Sequence, residues 1–292
     1  MTVLSTHANA KLNLCLDVLG KRFDGYHDLR MVMQEIDLHD VVKLTVGTGQ
    51  GIRVFSGSDE IPLSGDNIAA KAASLFLDAA GLNNPGIDID IEKHTPVCAG
   101  MGGGSADGAA VLKLLWDYYN RPVPEKVLYE LAEKVGSDVP FALFGGTALA
   151  EGKGEKLKRI SPMPQCKILV CKPDFPLSTP VLFRAIDDTE ILSRPDCGGM
   201  VQAISDGNLS DIAIRLGNVF QTVASADHPE INEICETMLA GGALNACMTG
   251  SGPTVFGIIN QDETAEGSYK LLKARYTQTY LVSPVTKTEV SL

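Results

Sequence analysis

No C-x-x-C pair, no dense run of lysine and arginine and no long apolar stretch occur in this chain of 292 residues. Each absence excludes a class of protein. The seven cysteines (15, 98, 166, 171, 197, 235 and 247) are odd in number and scattered, which fits neither a zinc site nor a disulfide framework; they are expected to be reduced and mostly buried. A formal net charge of −11 without a basic face argues against nucleic acid as a main partner, because neutralising phosphates needs clustered cations. No segment approaches the roughly 18 apolar residues that span a bilayer, and no basic segment leads into an apolar core at the start of the chain. The expectation is an unprocessed cytoplasmic protein with no membrane partner.

Two common nucleotide loops are missing as well. Neither G-x-x-x-x-G-K-[ST] nor G-x-G-x-x-G with its acidic follower can be laid on the chain, and the nearest miss, Gly146 to Gly154, has the wrong spacing and no hydroxyl after Lys153. What is present is a different glycine cluster. Pro96-Val97-Cys98-Ala99-Gly100-Met101-Gly102-Gly103-Gly104 runs into a small-residue helix beginning near Ser105 and Ala106. Glycine permits positive φ and close backbone approach, and a helix N-terminus adds roughly half a positive charge, so the stretch reads as a phosphate cradle. The plain alternative is a flexible loop capped by Ser105.

At this length two domains are expected, and two prolines between Ser161 and Gln165 place the boundary at 1–162 and 163–292. Strands are expected from Thr6 to Leu19 and from Val41 to Val46, around a loop at Gly20 to Tyr26. Helical spacing covers Asn67 to Ala80 with Gly81 as its stop, a strand follows at Gly86 to Glu92, and helices follow at Ser105 to Tyr119 and Pro124 to Val135. Ser137-Asp138-Val139-Pro140 is a turn into an apolar segment, and Thr147 to Ala150 is strand-like. The second half reads as a small α+β sandwich with a strand at Lys167 to Cys171 and helices near Asn208 to Ala224, Pro229 to Ala240 and Asp262 to Arg275. Its Met248-Thr-Gly-Ser-Gly-Pro253 is a glycine turn between two apolar strands.

Three segments in fixed order, Ala10-Lys11-Leu12-Asn13-Leu14 with Gly25-Tyr26-His27, then Pro96 to Ala106, then Met248 to Pro253, resemble the three motifs of the GHMP small-molecule kinase superfamily. Within it, the Arg22-x-Asp24-Gly-Tyr-His27 run and Gly136-Ser-Asp138-Val-Pro140 resemble the members that phosphorylate a cytidine-diphosphate-linked methylerythritol in the non-mevalonate isoprenoid route. The resemblance spans nearly the whole chain. It implies an α+β fold in which a first domain of ribosomal protein S5 domain 2 type and a ferredoxin-like second domain flank a cleft holding both substrates. It also implies transfer of the γ-phosphoryl group of ATP, with Mg2+, to the 2-hydroxyl of the methylerythritol unit.

By that resemblance Asp138 is the base and Lys11 its charged partner. Phosphoryl transfer needs orientation of the attacking hydroxyl and neutralisation of developing charge, and an aspartate beside an ammonium suits both. Taken singly, Lys11 reads as a solvated residue at a strand start and Asp138 as a helix N-cap. Asn13 shares a strand face with Lys11 and suits a polyol; Tyr26 offers a ring and His27 ring nitrogens to a cytosine, with Thr179 and Phe183 completing that side. Lys93 reads equally as an ATP contact or a salt-bridged strand end, and His94 as structural. Gly250 and Gly252 buttress the phosphate loop and acceptor site. Relatives place an aromatic where this chain has Met33, which predicts a thioether in the base pocket. Magnesium ligands cannot be read from the pattern. A monomer or homodimer is expected, and a sibling kinase for homoserine, mevalonate or a sugar, or a noncatalytic nucleotide binder, stands as the alternative.

Overall fold

A computed structural model describes residues 1–260 and 262–286. The chain divides into two compact units, each discontinuous in sequence: Met1–Ala10, Leu38–Val97 and Gly102–Phe144 form the first, while Lys11–Asp37, Cys98–Met101 and the chain from Gly145 onward form the second. Two 20-residue strands, β1 (Thr2–Lys21) and β2 (His27–Val46), run through both units.

In the first unit the C-terminal half of β2 pairs antiparallel with β4 (Ile87–Glu92), and β4 pairs parallel with β3 (Ile52–Ser56). Along β4, Ile87, Ile89 and Ile91 are buried while Asp90 and Glu92 are exposed, the period-2 pattern of a sheet with one face covered. The cover includes helix α1 (Ile68–Ala79), whose N-cap Asn67 accepts from Ala69 N at 2.8 Å and whose end is followed by Gly81 at φ +63°. Helix α2 (Gly103–Tyr118) packs on it closely because Gly108 has no side chain: a Cβ there would fall 2.7 Å from Ile68 Cγ2. Helices α3 (Glu125–Val135) and α4 (Val139–Phe144) complete the unit.

The second unit holds β5 (Thr147–Gly152), antiparallel to the N-terminal half of β2, and β6 (Lys156–Arg159), antiparallel to β5. It also contains a four-stranded antiparallel sheet of β7 (Lys167–Cys171), β9 (Asn245–Met248), β10 (Val255–Ile259) and β11 (Thr279–Val282) in the order β11-β7-β10-β9. The central pair carries its core: Ile168 to Cys171 and Val255 to Ile259 are buried throughout. Helices α9 (Glu230–Ala240) and α10 (Asp262–Arg275) pack on this sheet. Between β7 and β9 the chain also forms α5 (Thr179–Asp187), α6 (Cys197–Ser205), α7 (Leu209–Ile214), the two-residue β8 (Gly217–Asn218) and α8 (Val219–Asp227).

Several expectations are corrected. The helix expected over Asn208 to Ala224 is two helices parted by β8, because Gly217 and Asn218 leave helical geometry to pair with Cys15 and Leu16 of β1. Helices α5 and α6 and strand β6 lie outside the expected elements. Helix α2 begins two residues before Ser105, behind Gly102 at φ +69°, so Ser105 is not the cap. Met33, read as a thioether for a base pocket, is 1% exposed in the ladder opposite Ala148.

Candidate active site

Lys11 lies in the middle of β1, not at a strand start, and is buried together with Asn13. Both project from one strand face because side chains alternate. The Lys11 ammonium donates to Asn13 Oδ1 at 2.6 Å, and the Asn13 amide also faces Met31 Sδ at 3.3 Å. The second unit brings these two residues to the other motifs through backbone contacts. Lys11 N donates to Met101 O at 2.9 Å, which ties β1 to the glycine loop, and Asn13 N donates to Thr249 Oγ1 at 2.9 Å, which ties β1 to the third motif.

The glycine loop alternates its backbone sign. Cys98, Gly100 and Gly102 all take positive φ (52°, 73° and 69°), folding the chain tightly before α2. Gly100 is required for a second reason: a Cβ there would meet Thr249 O and come within 2.9 Å of Gly252 N. Gly250 and Gly252 also take positive φ, and a Cβ on Gly250 would fall 2.5 Å from Gly100 O. The loop and the turn are thus packed backbone to backbone. Cys98 is exposed while Ala99 and Met101 are buried, so the loop is anchored by alternate side chains. Pro96, Gly103 and Ala106 are buried, Val97, Gly102 and Ser105 are half-buried and Gly104 is exposed.

In the first unit Lys93 sits between two carboxylates, with Nζ 2.5 Å from Asp40 Oδ2 and 2.9 Å from Asp107 Oδ2 and its side chain only 7% exposed. Burial works against its charge, yet Asp107 and Asp40 outweigh that and hold Lys93 above the ordinary lysine value. Burial pushes the Asp107 carboxyl up to about 7, against the pull of Lys93 and with the push of Asp40. Asp107 Oδ1 is buried without a hydrogen-bond partner, whereas Asp40 Oδ1 accepts from His94 N and Thr95 N. The cluster backs the start of α2, where a Cβ on Gly103 would lie 2.9 Å from Thr95 Cγ2. His94 is half-exposed, 3.2 Å from Glu92.

His27 and Phe183 come together: the rings stack with centroids 4.5 Å apart, and Phe183 meets Phe220 edge-on at 4.9 Å. The His27 Nε2 pairs with Asp187 Oδ1 at 2.7 Å, and Lys21 Nζ binds the other oxygen at 2.6 Å. Asp187 was missed in the sequence; it falls four residues after Phe183, on the same face of α5, which is the signal that was available. Asp40, distant in sequence from the loop it serves, carried no such signal. Tyr26 stands 61% exposed with Lys153 Nζ 4.9 Å over its ring. Thr179 Oγ1 lies 2.7 Å from Ser251 Oγ, joining α5 to the third motif. Asp138 lies in the first unit immediately before α4, its carbonyl accepting from Ala142 N at 3.1 Å.

Among the described residues no group of three or more His, Cys, Asp or Glu side chains forms a metal cage. No helix among the described residues is long and apolar enough to cross a membrane.

Residues 67–146 match the family described as GHMP kinases N terminal domain, and residues 200–277 match GHMP kinases C terminal. A relative from Clostridium acetobutylicum named 4-diphosphocytidyl-2-C-methyl-D-erythritol kinase is 39% identical over 97% of this chain and 100% of its own. One of the same name from Pelotomaculum thermopropionicum is 44% identical over 98% of each chain. A solved 4-(cytidine 5'-diphospho)-2C-methyl-D-erythritol kinase superposes with a TM-score of 0.82 at 31% identity, covering 97% of this chain and 100% of that one. A homoserine kinase from Cytophaga hutchinsonii, at 18% identity and a TM-score of 0.78 over 99% of this chain and 96% of its own, shares the fold. With both family regions matched and full-length relatives at this identity, the chain belongs to the GHMP kinase family.

Proposed function

We propose that this chain is a cytoplasmic, ATP-dependent kinase that phosphorylates the 2-hydroxyl of 4-diphosphocytidyl-2-C-methyl-D-erythritol. The observation that carries the reading is the full-length similarity to relatives of that name, taken with a site in which Lys11, Asn13, the glycine loop and the third motif are joined by hydrogen bonds and close backbone contact. We keep the division at residue 162 as our reading of the family's two domains, the two family regions falling on either side of it.

In this reading Asp138 accepts the proton of the attacking hydroxyl, and the Lys11 ammonium stabilises the negative charge that develops as the new oxygen–phosphorus bond forms. Asn13 orients Lys11 through their 2.6 Å contact and offers its amide to the acceptor. Residues Pro96 to Ala106, with Lys93 behind them, receive the phosphates and the rest of ATP; Gly250 and Gly252 hold the acceptor side. Tyr26, His27, Thr179 and Phe183 receive the cytidine. Magnesium carried by the nucleotide would supply charge neutralisation around the transferring phosphoryl group.

The test is ADP formation from ATP and Mg2+ with the cytidine diphosphate methylerythritol acceptor, with homoserine and mevalonate as rivals and Asp138→Ala as control. Turnover with the cytidine acceptor alone, lost in the variant, is expected. Turnover with a rival only would replace the acceptor assignment by that of a sibling kinase, and ATP binding without turnover on any acceptor would make the chain a noncatalytic relative.

A further inference from the structure

Asn218 is 7% exposed and makes three hydrogen bonds with one side chain. Its Nδ2 donates to Met248 O and to Gly250 O, both at 2.8 Å, and its Oδ1 accepts from Phe220 N at 3.0 Å. Both amide protons are therefore used on the third motif, and the oxygen caps α8. Gln221, in the first turn of α8, accepts from Met248 N at 2.8 Å. Three backbone groups on the approach to one glycine turn are thereby held by two side chains from outside the hairpin.

A glycine hairpin does not need this. Its ladder already pairs Met248 with Val255, and Thr249 N donates to Thr254 O at 2.9 Å. The extra constraint matters because of what touches the turn. Thr249, between the two carbonyls that Asn218 binds, presents its hydroxyl to Asn13 N at 2.9 Å and lies 3.4 Å from Asn13 Oδ1, the atom that receives the Lys11 ammonium. Gly250 packs against Gly100 with no room for a Cβ, so a shifted turn would also move the glycine loop. Asn218 is itself fixed to β1, since β8 pairs with Cys15 and Leu16 two strand positions beyond Asn13.

We infer that Asn218 and Gln221 are positioning residues for phosphoryl transfer, clamping the Met248 to Gly250 backbone so that Thr249, Asn13 and Lys11 hold one geometry. This rests on the reading above that the third motif belongs to the active site.

The variants separate clamping from capping. Asn218→Ser keeps an N-cap hydroxyl for α8 but cannot bridge two carbonyls; Gln221→Leu loses the acceptor, and Gln221→Glu retains it. Steady-state ADP formation is expected to show kcat reduced about 10- to 100-fold in Asn218→Ser, the range for a small misplacement of reacting groups, with KM for ATP changed far less. Gln221→Leu should follow in direction, and Gln221→Glu should recover most of the rate. Amide hydrogen exchange should rise across Thr249 to Gly252 while α8 stays protected and the melting temperature falls little. Wild-type rates in both Asn218→Ser and Gln221→Leu, or unchanged exchange at the turn, would overturn the inference. If the wild-type chain prefers another acceptor, the same ratios are read on that acceptor, which separates a wrong substrate from a wrong clamp; if it turns over none, the exchange measurement decides alone.

Discussion

His27 Nε2 lies 2.7 Å from Asp187 Oδ1 while the His27 ring stacks on Phe183, so one residue is fixed both in its plane and at its edge. Lys21 and then His27 hold the Asp187 carboxyl below the usual aspartate range. A lowered carboxyl pKa stabilises the fold above its unfolded value, about 3.9, and the contact is lost only as pH falls through the lower folded value. The pairing therefore persists at neutral pH. Asp187→Ala is expected to raise KM for the cytidine acceptor about tenfold, the loss of one well-placed polar anchor, with kcat and KM for ATP little altered. Equal loss in both KM values would refute a role confined to the base side.

The Lys93 cluster predicts a pH-dependent stability. Asp107, pushed up to about 7, binds a proton in the folded state that an unfolded aspartate releases near 3.9, so its contribution worsens as pH rises from about 4 to 7 and is level above that. Asp107→Asn removes the titration while leaving an oxygen for Lys93. Urea unfolding should show the variant gaining on wild type by roughly 3 kcal/mol between pH 4.5 and pH 7.5. A difference that is flat with pH would disprove it.

Lys93→Met should act in the opposite direction. It leaves Asp40 and Asp107 buried beside each other without a cation, a loss of about 3–5 kcal/mol for breaking a buried ion pair from one side. A chemical-denaturation midpoint close to wild type would show that water reaches the cluster.

Gly100→Ala tests the packed glycines. A residue with a Cβ must hold φ +73° and push into Thr249 O and Gly252 N, costing about 1–3 kcal/mol in backbone strain alone. Both the melting temperature and the affinity for ATP should fall. The exposed Gly104, whose Cβ would meet only Ile68 Cδ1 at 3.5 Å, should tolerate alanine structurally.

Lys11→Met should lower kcat about 100- to 10,000-fold, the range for removing one charge-stabilising or proton-handling group, with ATP still bound. Recovery by Lys11→Arg would count against a closely fitted ammonium at Asn13 Oδ1.

The glycine loop, the turn at Met248 to Pro253, the helix from Asn67, the Gly81 stop and the alternation along β4 were legible in the residues because each is a local demand. Positive φ selects glycine, a helix start selects a capping side chain, and a sheet with one covered face selects period 2. The division of Asn208 to Ala224 was not legible, since its apolar spacing suits a helix and only pairing with β1, some 200 residues earlier in the chain, makes a strand of Gly217 and Asn218. The same holds for Asp40 under Lys93, Asp187 beside His27, Asn218 behind the third motif and Met33 in the core. By itself the sequence determined the family and singled out the glycine loop and the candidates Lys11, Asn13 and Asp138, all carried by short motifs. Tertiary structure alone decided which side chains hold those motifs in place, because hydrogen bonds and ion pairs between distant segments depend on distances that no local pattern encodes.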